Sequence, residues 1–387
     1  MAFRLAPVAL LAVLLLSVLL VSAPRSSSAD QPVRADGPVL IFRERESAGP
    51  LFIPPPAAPG DLRPMAASFQ VTYTGFTPEA RAAFQYAVDI WASQLNSAVP
   101  IAVDAQFTPL QQGVLGSARA FDYWANFTNA PRTQTFYPVA LANKLSGTDR
   151  AGSDIVTRFN SNYPDWYFGT DGRPGSEQFD FVSVVLHELA HGLGFAGSAF
   201  EDSGAFYYGL TNDWPIIYDR YVRNAAGNPI LSFPSGSAAL GSQLTGGNLF
   251  FNAPATNAAN GGAPARLYAP SPWRQGSSYS HLDETTFGRG TVNSLMTPFI
   301  GRGEAIHNPG AVTLAMLGDM GWVAASSTPT LTPTATATAR SLQALSVVVR
   351  DLRTATPTVT ATRTVTPTLT ATRTVTPTAT LTRTPTP

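Results

Sequence analysis

The sequence predicts an α+β fold for residues 67–325, and three observations carry that expectation. Strand-like and helical patterns follow one another from Phe69 onward. The apolar run DFVSVVLHELAHGLGF reads as a single buried helix. The stretch 197–280 then loses helical period and breaks into strand-like pieces among Gly, Asn, Ala and Pro. With segments that should not fold set aside, a chain of 387 residues suggests one large domain or two.

The elements can be justified in order. MAFR is a short basic start, LAPVALLAVLLLSVLLV an apolar run, and SAPRSSSAD a stretch of small residues. Residues 1–29 therefore read as a secretory signal peptide cut after Ala29. A cut after Ala23 is disfavoured because Pro24 follows it. The apolar run is also near bilayer-spanning length, so an uncleaved anchor is the alternative. Either route exports the rest to the cell surface or beyond, and no second apolar run is long enough to span. Residues 30–66 (LFIPPPAAPGDLRP) are rich in Pro and Ala and read as an extended leader or short propeptide without a core-forming pattern.

Phe69–Tyr73 alternates as a strand does. Thr77-Pro78-Glu79 is a helix start, with a capping hydroxyl, a proline at the first position and an acid in the first turn. Phe84, Val88, Trp91 and Leu95 follow at helical spacing and give that helix one buried face. Residues 100–107 are the next strand, and Asp154–Phe159 another, ended by Asn160-Ser161-Asn162-Tyr163-Pro164. Asp180 is placed to cap the HELAH helix and Gly194 to stop it. Residues 197–280 read as a loop-and-hairpin insertion with strand-like pieces at Ile216–Arg223, Ile230–Phe233 and Leu249–Asn252. Residues 326–387 are Thr/Pro-rich and contain a ten-residue repeat (ATRTVTPTLT, ATRTVTPTAT). They cannot bury enough apolar surface to fold, and they read as a disordered stalk of the kind that carries O-linked sugars. The apolar island 341–349 inside it is too short to anchor in a bilayer.

Twenty-five basic and 25 acidic residues give a formal net charge of +0, without the basic excess of a nucleic-acid binder. The absence of cysteine excludes a disulfide framework and thiolate metal ligands. It also excludes silencing a zinc enzyme with a propeptide thiolate.

The chemistry is concentrated in His187-Glu188-Leu189-Ala190-His191. Histidines four apart share a helix face, so both imidazoles reach one metal ion. Zinc accepts such nitrogens, a catalytic zinc has three protein ligands plus water, and Glu188 is then placed as general base toward that water. The chain has only two further histidines, His281 and His307. The pattern HExxHxxGxxH finds Gly194 at its glycine, but Gly197 stands where the third histidine should be. Either the site is broken or the third ligand arrives later, with His281 in Ser280-His281-Leu282-Asp283-Glu284 the better candidate over His307 and the nearby carboxylates Glu201 and Asp202. Asn293-Ser294-Leu295-Met296-Thr297-Pro298 follows, with Met296 suited to a turn beneath the ligands. Asp283 could orient a ligand imidazole, and His307 reads as structural or surface. The oxygens around Asp171 match no calcium-loop pattern, so a calcium ion has no support.

HELAHGLGF, then an insertion, then SHLDE and NSLMTP, together resemble the leishmanolysin-type metzincins, zinc metalloproteases that deliver their third histidine after an insertion. The closing run Gly310–Trp322 resembles the last helix of that family, which ends in Asp-x-Gly-Trp. The resemblance spans roughly 69–323 and is specific around 180–195 and 279–323. It implies a metzincin-like catalytic domain of two subdomains, with a twisted sheet and the active-site helix in the first. The third histidine, the Met-turn and a last helix would form the second. It implies a secreted zinc endopeptidase with His187, His191 and His281 on one zinc ion, Glu188 as base, and protein or peptide substrates. Substrate would pair with an edge strand, for which Asp154–Phe159 is the candidate, and Pro298 and Phe299 would line a side-chain pocket. The departures are the missing disulfides and the missing propeptide thiol. Two alternatives stay open: a non-catalytic surface module on the Thr/Pro stalk, and an HExxH hydrolase with a carboxylate third ligand.

Overall fold

In the computed structural model the described residues are 31–322 without Ala48, 57–66 and Ala151. The expected signal peptide, the Thr/Pro stalk and the island at 341–349 lie outside them. Helices and sheets mix in the α+β manner expected. Residues 31–56 form β1 (Val33–Ala35), β2 (Leu40–Arg45) and β3 (Leu51–Ile53). Then come β4 (Phe69–Thr74), α1 (Pro78–Gln94), β5 (Ile101–Thr108), β6 (Val114–Ala120), β7 (Tyr123–Ala125), β8 (Tyr137–Pro138) and α2 (Val139–Ser146). β9 (Ile155–Asn160), β10 (Trp166–Tyr167) and β11 (Phe179–Asp180) lead to α3 (Phe181–Leu193). Beyond it lie β12 (Phe200–Asp202), β13 (Ala205–Tyr207), β14 (Val222–Asn224), α4 (Ala238–Leu244), β15 (Leu249–Phe251), α5 (Pro254–Ala259) and β16 (Ala265–Leu267). The described chain closes with α6 (Glu284–Phe287), β17 (Phe299–Gly301), β18 (Glu304–Ile306) and α7 (Ala311–Met320).

The main sheet has six strands in the order β17-β2-β6-β9-β5-β4. β4, β5 and β9 are parallel, whereas β6 runs antiparallel to β9 and β2. α1 joins β4 to β5 as a parallel pair requires. Its start follows from the sequence: Thr77 accepts the Ala80 N–H at 3.2 Å, and Pro78 occupies the first turn. Ala80, Ala83, Phe84, Ala87, Val88 and Trp91 are buried, so small side chains let α1 pack closely beside α3. Trp91 Nε1 seals that contact by donating to Leu186 O at 3.0 Å.

Three expectations are corrected. Residues 30–66 are not free of core-forming pattern, because β2 sits inside the main sheet with Phe42 only 1% exposed. Asp154–Phe159 is not an edge, because β9 is paired on one side with β5 and on the other with β6. The strand that displaces it, β6, reads VLGSARA and carries too much Gly, Ser and Ala for its period to show. Ile230–Phe233 is a 3₁₀ turn (Ile230–Ser232), and Ile216–Arg223 divides into a 3₁₀ turn (Ile217–Tyr221) followed by β14. Leu249–Phe251 is a strand, as its pattern implied.

Asp154 begins β9 and ties three elements together. Its carboxylate accepts from Ala102 N at 2.8 Å and from Asn143 Nδ2 at 2.9 Å. Burial is nonetheless the larger effect and pushes its pKa up to about 6. The unfolded chain then loses this proton first, so the charged form costs the fold increasing stability from about pH 4 to about pH 6. Asp154→Asn is expected to flatten the stability–pH curve across that window, read as urea midpoints at each pH.

Candidate metal centre

α3 carries the first two candidate ligands, and its ends are fixed as the sequence implied. Asp180 Oδ2 accepts from Ser183 N at 2.8 Å and Ser183 Oγ at 2.6 Å. Gly194 closes the helix at φ 117°, a left-handed conformation that glycine adopts without a Cβ penalty. His307, the fourth histidine, faces the same cap: its Nε2 lies 2.9 Å from Asp180 Oδ2, and both side chains are fully buried. It is structural and lies inside the protein, away from the surface.

His187, His191 and His281 converge, each 0% exposed. Their Nε2 atoms lie 3.0 Å (187–191), 3.1 Å (187–281) and 3.2 Å (191–281) apart. Each ring points its Nδ1 at a backbone carbonyl at 2.7 Å: Leu295 for His187, Phe195 for His191, Ser277 for His281. A carbonyl only accepts, so each Nδ1 carries the proton and each Nε2 presents a lone pair inward. Burial holds His187 and His281 well below the usual imidazole range, helped by the neighbouring rings, and lowers His191 to about 4. All three are therefore neutral near pH 7, the form that binds metal. Three lone pairs so close repel one another unless a cation sits among them. Zinc–nitrogen bonds of about 2.0–2.1 Å in a tetrahedron place nitrogens about 3.3–3.4 Å apart, close to the spacing seen. This donor set fits a metal ion, and it is a group of buried metal-competent side chains within reach of one another.

Glu188 is also 0% exposed, and among the described residues neither carboxylate oxygen has a hydrogen-bond partner of normal geometry, the Phe42 N–H lying near but not well placed. Burial pushes its pKa well above the carboxylate range, an effect that the nearby backbone N–H of Phe42 opposes. β6 passes so near that a Cβ on Gly116 would stand 2.8 Å from Glu188 Oε1. Met296 is fully buried in a 3₁₀ turn (Ser294–Met296) packed against α3. The backbone of that turn serves the site directly: Leu295 O holds His187, and Met296 O accepts from Leu282 N at 2.8 Å beside His281.

Gly197 explains why the third histidine comes late. A Cβ there would lie 2.1 Å from the Tyr279 ring and 2.9 Å from Asp219 Oδ1. The close approach that only glycine permits is filled by the segment that delivers His281. Gly197 N donates to Ser280 Oγ at 3.0 Å, and Tyr279 takes a left-handed φ of 75° just before it. Asp219 organises this junction and escaped the sequence reading, since no periodicity marks it. Its buried carboxylate accepts from Ser198 N (2.9 Å), Ser198 Oγ, Ile216 N (2.8 Å) and Tyr279 OH (3.0 Å). Desolvation still raises its pKa against those bonds. Asp219→Ala strips buried donors of their acceptor and should cost about 3 kcal/mol or more. Urea unfolding measures the stability loss, and metal content shows the accompanying loss of His281 from the site.

The remaining candidates fall away from the centre. Glu201 and Asp202 belong to the β12–β13 hairpin, where Glu201 binds Gly204 N. Asp283 caps α6, accepting from Thr286 N at 3.0 Å, so carbonyls and not this carboxylate orient the ligand rings. Asp171 accepts from Tyr167 OH and Arg173 N in its own loop. Pro298 and Phe299 meet β2: Pro298 O accepts from Arg43 N at 3.4 Å, and Phe299 pairs with Arg43 in register.

Residues 79–252 are similar to the SPBPB7E8-like family. That span holds α3 with His187, Glu188 and His191, but ends before His281 and Met296. No curated protein and no solved structure matches the chain.

Proposed function

We propose that this chain is an exported zinc-dependent endopeptidase of metzincin type, with His187, His191 and His281 as ligands and Glu188 as general base. One observation carries the reading. Three neutral imidazole lone pairs converge next to a buried carboxylate that forms no ion pair and no hydrogen bond of normal geometry among the described residues. A structural zinc site is closed by four protein ligands and has no use for such a carboxylate. When bound, zinc supplies a Lewis acid for the scissile carbonyl and lowers the pKa of a water. The protein does the rest. The carbonyls of Leu295, Phe195 and Ser277 hold the ligand rings in one tautomer and orientation. Glu188 takes the proton of the attacking water and returns it to the leaving amine. A raised pKa suits that double role, because a general base works best near the operating pH. In this reading the first subdomain would be the main sheet with α3, and the second the region from residue 197 to α7 apart from β17, which joins the main sheet. The signal-like residues 1–29 support export, and the Thr/Pro stalk supports a place at the cell surface. Substrates would be extended proteins or peptides.

Metal analysis and casein cleavage test this reading. The expected result is one zinc per chain and cleavage that stops with a chelator, assayed before and after limited proteolysis. One bound zinc with no cleavage by either form overturns it.

A further inference from the structure

Every group that the proposed chemistry needs is sealed from water: His187, Glu188, His191 and His281 are each 0% exposed. The seal is β2. The Phe42 ring stacks on His187 with centroids 3.7 Å apart and planes at 7°. On one side β2 pairs antiparallel with β6, Leu40 opposite Ala118, Ile41 opposite Ser117 and Phe42 opposite Gly116. On the other side Ile41 N donates to Gly276 O at 3.0 Å and Arg43 N reaches Pro298 O at 3.4 Å. β2 is thus threaded between β6, which packs beside α3, and the segments that follow the insertion and the Met-turn.

The grip on β2 is mostly backbone. Among its six residues only Leu40 and Phe42 are buried. Main-chain pairing of this kind holds an extended peptide with little regard to its sequence. The ends are latched by charge: Arg45 pairs with Glu304 at 2.6 Å and also with Glu284, and Arg34 pairs with Asp122 at 2.7 Å. The chain carries no thiol that could cap a metal.

Resting on the endopeptidase reading above, we infer that residues 31–56 are a built-in inhibitory segment. β2 occupies the groove that an extended polypeptide substrate takes, and it must leave before the metal centre works. The groove between β6 and the Gly276 and Pro298 carbonyls is then the substrate-binding surface. A cut between β3 and β4 is what frees its occupant.

The test uses the full chain with a site-specific protease sequence placed within residues 57–66, loaded with zinc. Zinc release to a chelator, binding of a small hydroxamate and casein hydrolysis are followed before and after the cut. A short tether holds its segment at an effective concentration of about millimolar, so cutting and dilution to micromolar should raise all three about 10²–10³-fold. R45A, which breaks the latch to Glu284 and Glu304 and lies against neither ligands nor base, should open the cut protein further. A synthetic peptide of residues 33–53 should close it again. Equal zinc release and hydroxamate binding by intact and cut protein overturn the inference, as does a cut protein that unfolds when the segment leaves. A cut protein that binds hydroxamate but hydrolyses nothing upholds the inhibitory segment and overturns the endopeptidase reading.

Discussion

His281→Ala is expected to empty the metal centre. Removing one of three imidazoles leaves two ligands on α3, and two are too few to hold a catalytic zinc. The loss extends beyond one bond. His281 Nδ1 donates to Ser277 O, and its neighbour Tyr279 is tied to Asp219, so the substitution also opens a void where three elements meet. Zinc affinity should fall by about 10²-fold or more, since even the partners behind a ligand are worth about 10–100-fold. Metal content after dialysis against a weak chelator checks it. Full zinc retention in His281→Ala would sink the ligand assignment and return Glu201 and Asp202 to consideration.

Glu188→Ala is expected to separate binding from chemistry. The carboxylate makes no hydrogen bond of normal geometry, only a weak approach by the Phe42 N–H, so its removal leaves no buried donor stripped of a firm partner, and the three imidazoles keep their carbonyl partners. Zinc content should be unchanged. Burying a carboxylate without a partner costs stability, so the alanine variant should be at least as stable as the parent. Hydrolysis by the opened protein should drop about 10²–10⁴-fold, the usual contribution of a positioned proton carrier. Glu188→Gln preserves shape and gives the same loss if proton transfer is the role. Undiminished hydrolysis by either variant would falsify the mechanism.

Much of this centre was legible in the chain because its signals are local. Four-residue spacing puts His187 and His191 on one helix face, and Asp180 and Gly194 mark the ends of that helix by rules confined to a single turn. Four histidines and a glycine at position 197 left His281, His307 or a carboxylate as the third donor, and only the order of SHLDE before NSLMTP, with the resemblance it carries, favoured His281. The edge of the sheet could not. β9 has the apolar run of a strand, but whether it lies inside or at the rim depends on β6, which is too poor in large side chains to announce itself. Asp219 was equally silent, since a buried carboxylate with four donors around it looks, in sequence, like any acid.

The sequence by itself determined the motif helix, its caps, the shared helix face of His187 and His191 with Glu188 beside them, and the turn at Met296. Those depend on contacts within a few residues, where backbone geometry follows directly from side-chain type. Only the tertiary structure decided that His281 lies 3.1–3.2 Å from its partners across 90 residues of chain. It alone showed that Gly197 makes room for that delivery. It also turned residues 31–56 from a featureless leader into a strand stacked on the metal centre. Such pairings join residues far apart in sequence, where main-chain hydrogen bonds form between almost any side chains and leave no pattern to read.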